Sequence, residues 1–441
     1  MSKNNTVDRF SKPVAVTLRF EKPGYKNTEL FLDKFYAPRV SLPNEMSRCA
    51  MKRLIETCCC VFVFALLLTH PRSAFAQTES DGKGDWGSKG SLGSDARRAA
   101  VAPGGLIPKL PETSGSVMID VQEWPQKPGP RQVQVWVHYP ERSRLSSVNA
   151  QTGIMLSLHN WGGSYNVGTA DPNKLAERYN VIGVCVDYLQ SGAQASIRDP
   201  EPYDYGYLQA LDVLRALHFV TSELKAKNIA FDSGRIFSTG GSGGGNVSLM
   251  ANKLAPRTFA GIIDLCGMPK LTDIVAYNLP GSGGLDARYS KDSSSPNYLS
   301  ADAQEIRFAG HPEHLRLMKS WGTSSKVIVV HGVDDKLFLN EVKELVENMK
   351  SAGLDVQPHF ITADQVDGKV FTTTGHALGN RTLIVQQVAD KYLLPTSKDA
   401  LHRATPTDFE RRDQIIRYPT ANGVWVISYA TGYPVGRFEP S

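Results

Sequence analysis

One stretch of this chain, Ile236-Phe237-Ser238-Thr239-Gly240-Gly241-Ser242-Gly243-Gly244-Gly245-Asn246, restricts the fold more than any other. An apolar run breaks into glycines around a single serine and resumes as Val247-Ser248-Leu249-Met250-Ala251, which reads as a strand, a very tight turn and a helix start. Gly240-x-Ser242-x-Gly244 has the pattern of a nucleophile elbow. A serine at so sharp an apex sits in strained backbone, and neighbours without side chains let strand and helix pass close to it. Two phosphate-binding readings of the glycines fail. The third glycine of a dinucleotide fingerprint would fall on Asn246, and no Gly-Lys-Ser/Thr follows to make a P-loop. In a chain with 38 glycines a five-residue match means little by itself, so the argument rests on its surroundings.

Those surroundings alternate strand and helix. After a paired start at 117–121 and 133–138, buried strands are expected at 154–158, 181–187, the elbow, 260–265, 326–330 and 356–362. Helices are expected at 174–178, 205–224, after Ser242, at 313–319, 341–352 and 381–393. This rhythm predicts an α/β fold with a mostly parallel central sheet covered by helices on both faces, over residues 116–394. Two segments fall outside it. Residues 268–324, rich in Gly, Ser, Asp and Tyr, read as an insertion that could roof the site. Residues 395–441 read as an extension carrying a β-hairpin around Ala421-Asn422-Gly423.

The N-terminal part has a different character. Met51-Lys52-Arg53, the apolar run from Cys58 to Leu68 and Ala74-Phe75-Ala76 before Gln77 make up a secretory signal peptide over residues 51–76. The run is shorter than the about 20 apolar residues of a membrane span. Residues 1–50 are then an extra or misassigned extension, with the true start expected at Met46 or Met51, and 77–115 a polar, flexible linker. Removing residues 1–76 takes away 12 Lys/Arg and 6 Asp/Glu, leaving 37 against 38, a net charge of about −1. The apparent basicity vanishes, and with it any case for nucleic acid. Only Cys185 and Cys266 stay in the mature chain, on strands not expected to be neighbours, so they are expected as buried thiols rather than a disulfide. The expected location is secreted or periplasmic.

A serine hydroxyl becomes a useful nucleophile when an imidazole takes its proton and a carboxylate orients that imidazole. On a nucleophile-elbow sheet the chain order is Ser, acid, His. Val330-His331-Gly332-Val333-Asp334-Asp335 ends a strand and turns into a loop, and Thr374-Gly375-His376 lies between the last strand and the last helix. Asp335 is the expected acid and His376 the expected base, with Asp334 the nearest rival and Asp264 a more distant one. His331 is expected to brace its own turn, and His359 lies within a strand. His311 and His314 show neither metal-site spacing nor a third ligand. For the oxyanion, the backbone N–H of Gly243 and of Trp161, in His159-Asn160-Trp161-Gly162-Gly163, are the expected donors.

Gly240-Gly241-Ser242-Gly243-Gly244-Gly245, His331-Gly332-x-x-Asp335 and Gly375-His376 together resemble the catalytic domain of prolyl oligopeptidase-type members of the α/β-hydrolase superfamily, over about residues 130–394. The chain departs from that pattern in having no propeller-forming region ahead of the hydrolase, in Gly243 where a larger residue is usual, and in a long loop at 363–375. The resemblance implies a serine hydrolase that needs no metal or cofactor. For a lone exported domain it implies an esterase acting on small or polymer-borne esters. An amidase or peptidase, and a catalytically inactive hydrolase-fold binding protein, remain the alternatives.

Overall fold

The computed structural model describes residues 108–441. The extension, the signal peptide and most of the 77–115 linker therefore lie outside the described residues. The described chain joins the core ahead of its first strand: Leu110 is buried and its N–H donates to Glu223 Oε2 at 3.2 Å.

Eight strands form one sheet in the order β1-β2-β4-β3-β5-β6-β7-β8. Strands β1 (Gly115–Val121) and β2 (Arg131–His138) are an antiparallel pair, and β2 joins β4 (Val181–Asp187) antiparallel. From there β4, β3 (Gly153–Leu158), β5 (Ile236–Gly241), β6 (Gly261–Leu265), β7 (Lys326–Gly332) and β8 (Val356–Ile361) run parallel. The central strands β3, β5 and β6 are buried along their whole length, and the polar side chains β5 carries are paired inside, Ser238 with Ser248 Oγ and Thr239 with the Ile263 carbonyl.

Side-chain alternation divides these strands between two cores. Ile154 and Leu156 of β3 pack in one cluster with Leu211 of α2 (Tyr207–Ala226) and Val247 of α3 (Gly243–Leu254). Met155, between them, joins the opposite cluster with Leu175 of α1 (Pro172–Tyr179) and Val385 of α8 (Arg381–Leu393). The 268–324 insertion holds α4 (Asp273–Ala276), α5 (Ala301–Ile306) and α6 (Pro312–Ser320), and α7 (Leu339–Ser351) follows β7. Its first part packs with Tyr203, Tyr205 and Phe338 in a third cluster, against Trp161.

The C-terminal extension differs from the expected hairpin. Strands β9 (Ile415–Thr420) and β10 (Gly423–Ser428) are joined by a third, β11 (Val435–Pro440), in a separate antiparallel sheet ordered β11-β10-β9. Val435-Gly436-Arg437-Phe438-Glu439-Pro440, with its Gly and Pro, carries little strand signal, and cross-strand pairing to β10 supplies what its composition does not. The fully buried Tyr418 and Tyr429 seat this sheet by donating to the Lys253 and Leu254 carbonyls at the end of α3. Cys185 and Cys266 are free and buried. No helix among the described residues is long and apolar enough to cross a membrane.

Candidate active site

Strand β5 ends in the elbow. Ser242 has φ 55° and ψ −117°, a conformation that costs an L-residue energy and persists only where the surroundings over-determine it. The surroundings here are backbone in contact with backbone. A Cβ on Gly240 would lie 2.2 Å from Gly244 C and O, and one on Gly244 would lie 2.1 Å from Leu158 O, so neither position admits a side chain. The Ser242 N–H donates to Leu265 O of the next strand at 2.9 Å, which fixes the apex.

His376 and Asp335 come to this serine from two other loops at the carboxyl edge of the sheet. Ser242 Oγ lies 2.8 Å from His376 Nε2, and His376 Nδ1 lies 2.7 Å from Asp335 Oδ2. The two loops are joined to each other, since the Asp334 N–H donates to Thr374 O at 2.9 Å. Arg381, in the first turn of α8, donates to the His376 carbonyl at 3.1 Å. Burial works to raise the Asp335 carboxyl, but His331 and His376 beside it hold it well below the usual carboxylate range. It is therefore ionised where it faces the imidazole. The His376 side chain keeps 38% of its exposure, so the reacting edge of this constellation is open to solvent.

The rival acids lie elsewhere. Asp334 is exposed and accepts from Thr374 Oγ1. Asp264 is wholly buried under α3, close enough that a Cβ on Gly245 would lie 2.2 Å from its Oδ1. His359 stays on β8 beside Gln357. His331 is more than a brace of its own turn: its Nε2 lies 2.9 Å from the same Asp335 Oδ2 that faces His376. Cys266, just past β6, adopts φ 52° and brings its thiol within 4.8 Å of Asp335 and His376. Burial pushes that thiol up to about 12, so it stays protonated beside the triad-like group. His331 reaches Asp335 from four residues earlier in the same turn, Cys266 comes in through the pairing of β6 with β7, and Arg381 is brought by α8.

The Gly243 and Trp161 backbones meet in front of the serine. A Cβ on Gly243 would lie 2.7 Å from Trp161 N, which explains why the position after the serine is glycine here. Neither N–H has a hydrogen-bond acceptor among the described residues. Trp161 is held by its indole N–H, which donates to Ser196 O at 3.1 Å, and by stacking on Tyr203 with ring centroids 4.0 Å apart. Its backbone is thus fixed with the N–H unspent.

One expectation changes away from this site. His311 and His314, which have no third partner in sequence, receive one in space: Glu305 Oε1 lies 3.5 Å from His311 Nε2 and 3.6 Å from His314 Nε2.

A family described as "Protein of unknown function (DUF2920)" matches residues 282–431. No match is found among curated proteins. Solved structures similar to this chain include an acylaminoacyl peptidase of Pyrococcus horikoshii, 14% identical over 66% of this chain and 43% of that one, with a TM-score of 0.45. A structure described as an arylesterase is 16% identical over 64% of this chain and 84% of that one, with a TM-score of 0.38. Dipeptidyl peptidase 4 of Porphyromonas gingivalis is 14% identical over 64% of this chain and 35% of that one, with a TM-score of 0.40. The chain thus spans less than half the length of the two peptidases. From its own strand order, with β2 antiparallel beside β4, its elbow after β5 and its helices on both faces, the chain has the α/β-hydrolase fold.

Proposed function

We propose that the protein is an exported serine hydrolase that cleaves carboxylic esters through an acyl-enzyme. The observation that carries this reading is the 2.8 Å approach of His376 Nε2 to the Oγ of a serine held at φ 55° on an elbow. In the proposed mechanism Ser242 Oγ attacks the ester carbonyl carbon as His376 Nε2 takes its proton, and the imidazolium that forms is stabilised by the ionised Asp335. The oxyanion receives the Gly243 and Trp161 N–H groups, the type of donor that matters most where charge develops. Collapse of the tetrahedral species breaks the bond to the alkoxy oxygen, which leaves as the alcohol with the proton from His376. Water, deprotonated by the same imidazole, then attacks the acyl carbon and releases the acid and free Ser242. Trp161, partly exposed and stacked on the buried Tyr203, gives the site an aromatic face, which favours an acyl or alcohol group with an apolar face.

Export is supported by the sequence of residues 51–76. The test is labelling of the 77–441 chain with a fluorophosphonate probe, followed by hydrolysis of acyl esters beside aminoacyl anilides. Stoichiometric label on Ser242 that Ser242→Ala and His376→Ala abolish, with turnover lost by several orders of magnitude, is the expected result. Hydrolysis retained by folded Ser242→Ala overturns it, and anilide turnover above ester turnover shifts the reading to an amidase or peptidase.

A further inference from the structure

The nucleophile and the acid of the proposed site are each held by several contacts. The elbow is fixed by glycine backbone against backbone and by the Ser242 N–H bond to Leu265 O. Asp335 Oδ1 accepts from the Leu337 N–H at 3.2 Å, and its Oδ2 faces two imidazoles. The base is held differently. On either side of His376 the turn is tied down: Thr374 O accepts from the Asp334 N–H at 2.9 Å, Gly375 O from the Leu378 N–H at 3.1 Å, and Leu378 O from the Thr372 N–H at 2.7 Å. The N–H and carbonyl of His376 itself take part in no main-chain hydrogen bond among the described residues. The group that reaches its carbonyl is Arg381, whose Nη2 donates at 3.1 Å.

Arg381 is the first residue of α8, directly after the cap Asn380, whose side chain accepts from the Leu383 N–H. The N-terminal end of a helix carries partial positive charge, so a guanidinium there gains nothing from the helix. The bond to the His376 carbonyl is its only side-chain hydrogen bond among the described residues, and its Nη1 is buried without a partner. A cation so placed costs the fold stability, and what it supplies in return lies at the site. A Cβ on Gly241 would stand 3.4 Å from Arg381 Nε. The guanidinium therefore lies against the residue before the nucleophile while it holds the residue that carries the base. Because the group is planar and rigid, the two contacts fix one distance.

We propose that Arg381 is a positioning residue: it holds the His376 main chain against the elbow, so that the imidazole Nε2 returns to hydrogen-bond distance of Ser242 Oγ after each proton transfer. This role rests on the reading of Ser242, His376 and Asp335 as the reacting groups. Once the Nε2 proton has passed to the leaving alcohol, Ser242 is acylated and the ring keeps only its Nδ1 bond to Asp335. A ring held at one nitrogen can pivot about that bond unless its main chain is fixed as well. The charge-assisted bond from Arg381 supplies that second hold. Misplacing a reacting atom by about 1 Å costs about 10²-fold in rate. The demand arises as the proton moves and not as substrate binds, so its loss falls on kcat and not on KM.

The experiment compares native, Arg381→Ala and Arg381→Lys forms of the 77–441 chain by ester kinetics and by the rate of fluorophosphonate labelling, with and without millimolar methylguanidine, and by urea melts that report the folded fraction. Arg381→Ala is expected to lose about 10²-fold in kcat and in labelling rate with KM unchanged. Arg381→Lys, which keeps a charged donor, is expected to lose less. Methylguanidine is expected to restore part of the Arg381→Ala rate and to leave the native chain as it is. Arg381→Ala at the native rate, a loss confined to KM, or a rate loss that neither lysine nor methylguanidine reduces overturns the proposal. Should Arg381→Ala not fold, Arg381→Lys decides: a lowered kcat at native KM supports the role, and a native kcat overturns it. A native chain that takes no label overturns the hydrolase reading and this role with it, whereas a labelled native chain matched by Arg381→Ala overturns this role alone.

Discussion

At the scale of single residues, Gly243 shows how a substitution can act on a reaction without touching a reacting side chain. An added Cβ 2.7 Å from Trp161 N must push that backbone away, which misplaces one of two oxyanion donors. Gly243→Ala is expected to fold, and to lose about 10²-fold in kcat with a matching slowing of fluorophosphonate labelling, as removal of one such donor does. Asp264 is the opposite case, a buried carboxyl outside the reaction whose cost is read as stability. Burial pushes it from about 3.8 up to about 7, against a weaker pull from Gly267 and Arg381. The unfolded chain loses this proton first, so the native state binds more protons across that window and stability falls as pH rises from about 4 to about 7. Urea melts over that range are expected to show the decline, with an upper bound of about 4 kcal/mol. Asp264→Asn is expected to flatten it.

At the scale of elements, the C-terminal sheet is fastened by one charged contact as much as by its tyrosines. Asp408, fully buried, accepts from the Arg257 backbone N–H, from Arg257 Nε and from Thr258 Oγ1 at 2.8, 2.8 and 2.9 Å. Removing one member of a buried pair leaves the other uncompensated, at a cost of about 3–5 kcal/mol. Asp408→Ala is therefore expected to lower the free energy of unfolding by that amount, read as an earlier denaturation midpoint at unchanged slope, while leaving the Ser242 to His376 geometry in place. Similar melting of Asp408→Ala and the native chain would show that the extension adds nothing to the stability of the core. The strands that build the main sheet were readable because they are either buried apolar runs, as β4 and β7 are, or alternate apolar and polar residues, as β1 and β2 do, between turn residues. Strand β11 was not, since its order comes from its partner β10 rather than from its own residues.

At the scale of the whole molecule, the mature chain is expected to begin at Gln77, after Ala74-Phe75-Ala76. N-terminal sequencing of the exported protein checks this, and recovery of an uncleaved chain starting ahead of Met51 would rule it out. The described part, 108–441, shows how far a sequence alone can go. Composition, the alternation of strand and helix and the glycines around Ser242 determined the fold class and the candidates Ser242, Asp335, His376, Gly243 and Trp161, because those signals are local: a strained turn needs glycine beside it, and a buried strand needs an apolar run. The tertiary structure alone decided which groups surround them. His331 meets Asp335 only four residues on, but Cys266 within 4.8 Å of His376 and the Gly243 backbone against Trp161 are contacts between residues far apart in the chain. They exist because parallel strands bring successive loops to one edge and because packed helices bring side chains together irrespective of spacing, and no local pattern encodes that.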